Sequence, residues 1–204
     1  DPYSQKLRQA LAAFLDVNED TIFVGNGSDE AIDLLVRLFV ETDEEILIAE
    51  PTYGMYAVAG ELAGVAVRRC PLREDFTLDV GSLLAQAGSK TKLLFCCSPN
   101  NPAGTVIPLR DIEKICRAFK GIVIVDEAYI DLCYKQETVS VLTVPGWEES
   151  CIVLQSVSKG WNATGLRFGW MVAHPTAIKV LRKVTDVTDS GMFGPSIAAG
   201  LYCL

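Results

Sequence analysis

The amino-acid sequence predicts an α/β fold, a three-layer α/β/α domain with a mostly parallel central sheet. Apolar runs of strand length alternate along the 204 residues with stretches whose apolar side chains recur at helical spacing. Residues 121–125 (GIVIV) are continuously apolar, which is typical of a strand buried on both faces of a parallel sheet. Neither a repeat nor a linker-like segment interrupts the pattern, so a single domain over residues 1–204 is expected.

Individual elements follow from local patterns along the chain. Helices are predicted where apolar residues recur every three or four positions, over residues 5–15, 29–40, 56–63, 80–87, 108–119 and 176–187. Strands are predicted where short apolar or alternating runs meet turn residues, at 21–24, 45–49, 64–70, 92–97, 121–125, 151–154 and 167–173. Residues 132–150 are expected to form a loop with a short helix. Ser28 and Asp79 each precede a predicted helix and are expected to be N-caps.

Composition excludes several classes of function. The 26 acidic and 18 basic residues give a net charge of −8, which argues against a nucleic-acid-binding surface. Apolar runs as long as a membrane span and a secretory signal are both missing from the sequence, so a cytoplasmic protein is expected. Seven cysteines without CxxC spacing indicate reduced thiols. With His174 as the single histidine, a histidine-based metal site or a Ser-His-Asp triad has little support, and no metal is expected.

One lysine occupies an unusual position for packing. Lys159 follows the apolar strand run at 151–154 and is flanked by small hydroxyl residues, with Arg167 eight positions further along. Burial disfavours the charge of a lysine at the end of a buried strand. The same position suits an amine that must be neutral enough to attack a carbonyl and form a Schiff base. We therefore predict that Lys159 carries pyridoxal 5'-phosphate (PLP).

Other special residues also follow predicted strands, and they match the remaining needs of PLP. They are the glycine turn at 25–28, Tyr53, Asn101, Asp126 with Tyr129, and the Ser156–Lys159 stretch. PLP needs an anion beside its pyridine nitrogen, an aromatic face for its ring, donors to its ring oxygen and a site for its phosphate. A helix that starts after a glycine turn offers backbone N–H groups to an anion, although any strand–helix connection shares this feature.

Five sequence runs resemble the histidinol-phosphate aminotransferases, a family of fold-type-I PLP enzymes in histidine biosynthesis. These runs are NGSDEAI at 26–32, PTYGMY at 51–56, SPNNPAG at 98–104, DEAY at 126–129, and Ser158-Lys159 with GLR at 165–167. The resemblance covers nearly the whole chain. The asparagine–proline, Asp-x-x-Tyr and Ser-Lys motifs are common to many fold-type-I aminotransferases. PTYGMY together with GSDE is narrower and indicates the histidinol-phosphate branch.

The resemblance implies a role for each residue around the cofactor ring. Lys159 would form the Schiff base and, once displaced, would move a proton between the substrate's α carbon and C4′ of the cofactor. Asp126 would pair with the pyridinium nitrogen, and Tyr53 would stack on the ring. Asn101 and Tyr129 would donate to the ring oxygen.

The resemblance also implies how the cofactor phosphate is held. Ser28, Asp29 through its backbone N–H, Ser156 or Ser158, and Arg167 would bind it. An acidic side chain at position 29 would repel phosphate if it pointed inward, so the backbone role resolves that conflict. The segment after the lysine departs from the family's usual Phe-Gly-Leu-Ala-Gly, because residues 160–165 read GWNATG. This departure leaves Arg167 in register but changes the packing beneath it.

The implied reaction is amino transfer between L-histidinol phosphate and 2-oxoglutarate, in a homodimer. We expect the chain to be the PLP-binding large domain alone, with the family's N-terminal arm and small domain outside it. The partners would then be a small-molecule amino donor and a 2-oxo acid, without nucleic acid or membrane. Three alternatives stay open: another fold-type-I aminotransferase, a decarboxylase acting on a phosphorylated amino acid, and a catalytically incomplete PLP-binding domain.

Overall fold

The central sheet of the computed structural model, which describes residues 3–134, 138–149, 151–188 and 191–204, contains seven strands. In chain order they are β1 (Ile22–Gly25), β2 (Glu45–Glu50), β3 (Ala66–Pro71), β4 (Thr91–Cys97), β5 (Ile122–Asp126), β6 (Cys151–Ser156) and β7 (Gly169–Val172). Their order across the sheet is β1-β7-β6-β5-β4-β2-β3. The prediction placed each strand within a few residues of its observed position.

Strand direction decides which chain segments meet at one edge of the sheet. The neighbours from β3 through β2, β4 and β5 to β6 all pair in parallel, whereas β7 is antiparallel to both β6 and β1. The mostly parallel sheet is therefore confirmed. Because β7 runs the opposite way, its first residue, Gly169, pairs with the last residues of its neighbours, Ser156 and Gly25. The start of β7 thus joins the carboxyl ends of the other strands.

Eight α-helices lie among the described residues. They are α1 (Gln5–Leu15), α2 (Ser28–Phe39), α3 (Met55–Leu62), α4 (Val80–Gln86), α5 (Leu109–Ala118), α6 (Val157–Gly160), α7 (Pro175–Thr188) and α8 (Gly194–Cys203). One apolar cluster joins α2, α3 and α7 to one face of the sheet, and a second joins α1, α4 and α5 to the other. In β5, Ile124 belongs to the first cluster and its neighbours Val123 and Val125 to the second. This alternation confirms the three-layer α/β/α fold.

Some local predictions were wrong. Gly27, not Ser28, is the N-cap of α2, because the turn needs a φ of 101° that a serine would adopt only with strain. Arg167 lies outside β7 at a left-handed φ of 46°, directly after the 3₁₀ helix Thr164–Leu166. The final helix, α8, was not predicted. Asp79 is confirmed as the N-cap of α4, since its side chain accepts a hydrogen bond from the Ser82 N–H.

The segment predicted as a loop with a short helix falls partly outside the described residues, at 135–137 and 150. Its described part contains the 3₁₀ helices Val141–Thr143 and Trp147–Glu149. The seven cysteines all lie in the described ranges, and none of them forms a disulfide. Over the described ranges, no helix combines the length and apolar character of a membrane span. The same residues contain no group of His, Cys, Asp and Glu side chains that could hold a metal ion.

Candidate active site

A cavity of about 160 Å³ lies at the edge where the parallel strands end and β7 begins. Apart from Asn101, the predicted site residues all line it. They are Ser28, Asp29, Tyr53, Asp126, Tyr129, Ser156, Ser158, Lys159 and Arg167. Residues far apart in sequence meet here because each follows or precedes a strand at the same sheet edge, the usual ligand-binding position in open α/β sheets.

Lys159 sits on α6, the short helix that directly follows β6. Ser156 caps this helix, because its Oγ accepts a hydrogen bond of 3.3 Å from the Ser158 N–H. The Lys159 side chain is half-buried, and its Nζ lies 5.5 Å from the centre of the Tyr129 ring. The amine therefore lies beside the Tyr129 ring in the cavity lining, on the helix after β6 and not in the strand itself.

Asp126 is the last residue of β5 and is only 4% exposed. Its Oδ2 accepts a 2.7 Å hydrogen bond from the Tyr56 hydroxyl, and its Oδ1 accepts a 3.0 Å bond from the Ala128 N–H. Burial raises the pKa of the Asp126 carboxyl above its ordinary value, while these hydrogen bonds lower it in part. The carboxylate therefore has two fixed donors within the protein.

Tyr53 and Asp29 form a polar pair inside the cavity. The Tyr53 hydroxyl donates to Asp29 Oδ1 at 2.9 Å, and burial raises the pKa of that hydroxyl, so it stays a donor. The other oxygen of Asp29, Oδ2, lies 3.6 Å from Nη2 of Arg167. The acidic side chain thus does point inward, where a cation and a hydroxyl offset its charge. Phosphate binding through the Asp29 backbone stays a prediction.

The start of α2 and Arg167 make one end of the cavity suitable for an anion. A Cβ at Gly27 would lie 2.7 Å from Arg167 Nη2, and a Cβ at Gly169 would lie 2.7 Å from the Ser28 backbone nitrogen. Both glycines are therefore required for the turn, the guanidinium and β7 to pack this closely. Arg167 Nη1 also donates to the Thr164 carbonyl at 3.1 Å. The helix N-terminus, serine hydroxyls and guanidinium together fit a phosphate.

Asn101 lies one hydrogen bond behind the cavity wall. Its Nδ2 donates to the Tyr129 hydroxyl at 3.2 Å, and Tyr129 itself lines the cavity. The neighbouring Asn100 has a different task, which explains why the loop contains two asparagines. It accepts from the Thr52 hydroxyl and donates to the Pro51 carbonyl, both at 2.9 Å. Asn100 therefore ties the loop after β4 to the turn that carries Tyr53.

A sequence model of the family "Aminotransferase class I and II" matches residues 1–201. The chain belongs to this family.

Relatives within this aminotransferase family are similar over nearly all of the chain. Histidinol-phosphate aminotransferase of Parabacteroides distasonis is 43% identical over 185 residues, which are 90% of this chain and 53% of the relative. The enzyme of the same name from Francisella philomiragia is 40% identical over 189 residues, covering 90% of this chain and 52% of the relative. The chain thus spans about half the length of the curated relatives it matches.

Solved aminotransferase structures share the fold. An aromatic aminotransferase from Pyrococcus horikoshii superposes with a TM-score of 0.90 at 29% identity, over 97% of this chain and 57% of that chain. A histidinol-phosphate aminotransferase from Sinorhizobium meliloti in complex with pyridoxal-5'-phosphate gives a TM-score of 0.88 at 24% identity, over 98% and 54%. The latter likeness supports the fold alone.

Several residues that line or contact the candidate active site were not predicted from the sequence. Tyr56 belongs to the PTYGMY run, but its bond to Asp126 could not be inferred from that pattern. Its signal was a tyrosine three positions after Tyr53, at the start of the helix predicted over 56–63. Cys97 lines the cavity, and burial raises the pKa of its thiol to about 12, so it is uncharged near neutral pH. Thr164 also lines the cavity and positions Arg167 through its carbonyl.

Glu127 follows Asp126 directly but does not line the cavity. It is buried and accepts hydrogen bonds from the Ser140 hydroxyl, the Val141 N–H and the Gln155 amide at 2.7–2.8 Å. Successive side chains at the end of a strand point to opposite faces, which separates the two carboxylates. Of the adjacent acidic pair, Asp126 lines this cavity and Glu127 does not.

Proposed function

We propose that the complete protein is a PLP-dependent aminotransferase, and that residues 1–204 are its cofactor-binding large domain. The cavity carries this proposal, because it brings a lysine amine, a buried carboxylate and anion-binding donors into one space. Membership of the aminotransferase class I and II family supports the same class of reaction.

The residues present fit PLP at both of its charged ends. Asp126 is a buried carboxylate with two donors, suited to keep a proton on a pyridine nitrogen. At the other end, Arg167, Ser28, Ser156 and Ser158 offer a guanidinium and three hydroxyls to a phosphate. The backbone N–H groups at the start of α2 add to this anion site.

When bound, PLP supplies an electron sink for the bonds at the α carbon of an amino acid. In this chain, the Lys159 amine would hold the cofactor covalently and, once an amino substrate displaces it, would move a proton at the substrate's α carbon. Asp126 would hold the proton on the ring nitrogen. Tyr53 would pack against the ring, while Asn101 and Tyr129 would fix the ring oxygen.

The amino donor we propose is L-histidinol phosphate, with 2-oxoglutarate as the acceptor. The support is the name shared by relatives about 40% identical to this chain. Structural neighbours at 29% identity include an aromatic aminotransferase and an N-succinyldiaminopimelate aminotransferase, so another amino donor is the second candidate. We further propose that the complete protein is cytoplasmic and forms a homodimer. Sedimentation of the PLP-loaded protein would test the dimer.

The deciding experiment uses the complete protein reconstituted with PLP. A visible absorbance band is expected in the wild type and is expected to be lost in Lys159→Ala. Lys114→Ala, which alters an exposed lysine on α5, is the matched control and should keep the band. A wild-type protein that stays colourless would overturn the proposal.

Substrate class follows from single-turnover spectra of the same protein. L-histidinol phosphate should change the visible spectrum much faster than an aromatic amino acid or phosphothreonine. Release of carbon dioxide would indicate a decarboxylase instead. A protein that holds PLP without responding to any amino donor would be a catalytically incomplete binding domain.

A further inference from the structure

The side chain beneath the proposed ring-nitrogen site is Tyr56, on the first turn of α3. It is fully buried, and its ring stacks on Phe95 of β4 with centres 4.7 Å apart and an angle of 18°. The Tyr53 ring meets it edge-on at 5.6 Å and 81°. Two aromatic contacts therefore fix the direction of the phenol, and its hydroxyl reaches Asp126 Oδ2 at 2.7 Å.

Asp126 depends on hydrogen-bond donors, because no cationic side chain in the described part of the chain pairs with it. None of the ion pairs among the described residues involves it. The nearby Asp29 carboxylate adds repulsion, which acts with burial to disfavour a second negative charge. Tyr56 and the Ala128 N–H are the two groups that donate to the carboxylate. Burial and the adjacent carboxylate raise the pKa of Tyr56, so its hydroxyl keeps its proton and remains a donor.

We propose that Tyr56 is a positioning residue, which keeps Asp126 anionic and correctly oriented so that the proton of the pair resides on the cofactor's ring nitrogen. This inference rests on the proposed function. A hydrogen bond to the carboxylate makes it a weaker base, so the shared proton favours the nitrogen. Without the hydroxyl, Asp126 becomes the stronger base and the proton moves toward the carboxylate. The electron-withdrawing power of the ring then falls.

The test compares wild type, Tyr56→Phe and Tyr202→Phe in the complete protein loaded with PLP labelled with ¹⁵N at the ring nitrogen. Tyr56→Phe keeps the stacked ring and removes only the hydroxyl. Its ring-nitrogen resonance is expected to move toward the unprotonated value, and its affinity for PLP to fall about tenfold. Tyr202→Phe removes the hydroxyl of an exposed tyrosine on α8, outside the cavity, and should leave the resonance at the wild-type position.

A second ligand separates this effect from a general loss of packing. In the analogue of PLP whose ring nitrogen is replaced by a C–H group, no proton is shared with Asp126. Tyr56→Phe should therefore bind the analogue within about twofold of wild type, since the lost hydrogen bond no longer tunes an ion pair. An equal loss of affinity for PLP and analogue would show a merely structural role and overturn the inference.

If Tyr56→Phe does not fold, 4-aminophenylalanine at position 56 keeps the ring and supplies a weaker donor. The ring-nitrogen resonance should then move in the same direction by a smaller amount, and an unchanged resonance would refute the inference. Failure of the proposed function is distinguishable, because wild-type protein would then either bind no PLP or hold it without responding to any amino donor. Wild-type binding with an unaltered resonance in Tyr56→Phe contradicts only the role of Tyr56.

Discussion

The buried charge of Asp126 is predicted to destabilise the cofactor-free protein, so Asp126→Asn should stabilise that protein at pH 7. Burial raises the folded-state pKa of this carboxyl above its unfolded value. The folded state then binds the proton more tightly than the unfolded state, and stability falls as pH rises through this range. Above the folded-state pKa, burying this charge without a cationic partner among the described residues costs on the order of 1–2 kcal/mol.

Asparagine can replace the carboxylate without leaving a polar atom unpaired. Its Oδ1 can accept from the Ala128 N–H, and its Nδ2 can donate to the Tyr56 oxygen, because a phenol both donates and accepts. The Tyr56 hydroxyl then loses its acceptor at Asp126 and can turn its own proton toward the Cys97 sulfur, so the weaker bond offsets only part of the gain from removing the charge. An increase of about 2–4 °C in the apparent melting temperature is expected at pH 7.

The assay is thermal unfolding of the complete, cofactor-free protein between pH 3 and pH 8. The advantage of Asp126→Asn should shrink as pH falls through the raised folded-state pKa of Asp126 and vanish below the ordinary aspartate pKa of 3.8, where both states are protonated. Saturating PLP should reverse the order, because the wild type gains an ion pair that the variant lacks. If Asp126→Asn melts below wild type at pH 7 without PLP, the reasoning is wrong.

Asp75→Asn is a control with the opposite sign. Asp75 is exposed, and hydrogen bonds from the Thr77 hydroxyl and N–H hold its pKa below the ordinary value. A depressed pKa contributes stability above the unfolded pKa, and that stability is lost as pH falls through the folded value. Asp75→Asn should therefore lower the melting temperature slightly at pH 7 and not at low pH.

Two further pairs of variants test how the site is built. Gly27→Ala should lower stability by about 1–2 kcal/mol and PLP affinity at least tenfold, because position 27 has a φ of 101° and a Cβ there would lie 2.7 Å from Arg167 Nη2. Gly54→Ala is the control, since nothing lies within 4 Å of the added Cβ, and it should leave the melting temperature and the PLP titration nearly unchanged. Asn100→Ala should lower the melting temperature with or without PLP, since two hydrogen bonds that join the loop after β4 to the turn after β2 are lost, at about 1–2 kcal/mol in total. Asn101→Ala should instead leave the cofactor-free melting temperature nearly unchanged and shift the visible absorbance of bound PLP. If the two asparagine variants change both measurements equally, Asn100 and Asn101 do not have separate structural and cofactor-binding roles.

Local pattern in the sequence was sufficient for the alternating helices and strands and for most members of the candidate site. Apolar runs and glycine turns fix where strands end, and parallel strands bring their carboxyl ends to one edge, so Tyr53, Asp126 and Lys159 could be placed together in advance. Arg167 joined them only because β7 runs antiparallel and starts at that edge. Strand direction depends on pairing between distant segments and has no local signal.

The tertiary structure alone decided what each polar side chain contacts. The sequence placed Asp126 at the end of a strand buried on both faces, but the side chain that donates to its carboxylate is Tyr56, seventy positions earlier. The sequence also indicated that the negative charge of Asp29 would repel a phosphate. In the folded protein, Tyr53 and Arg167 contact the two oxygens of that carboxylate. Residue type determines which groups need a donor or a charge, because burial makes an unpaired polar group costly. Which residue satisfies that need depends on how the layers of the fold pack together, and that is set by the whole chain at once.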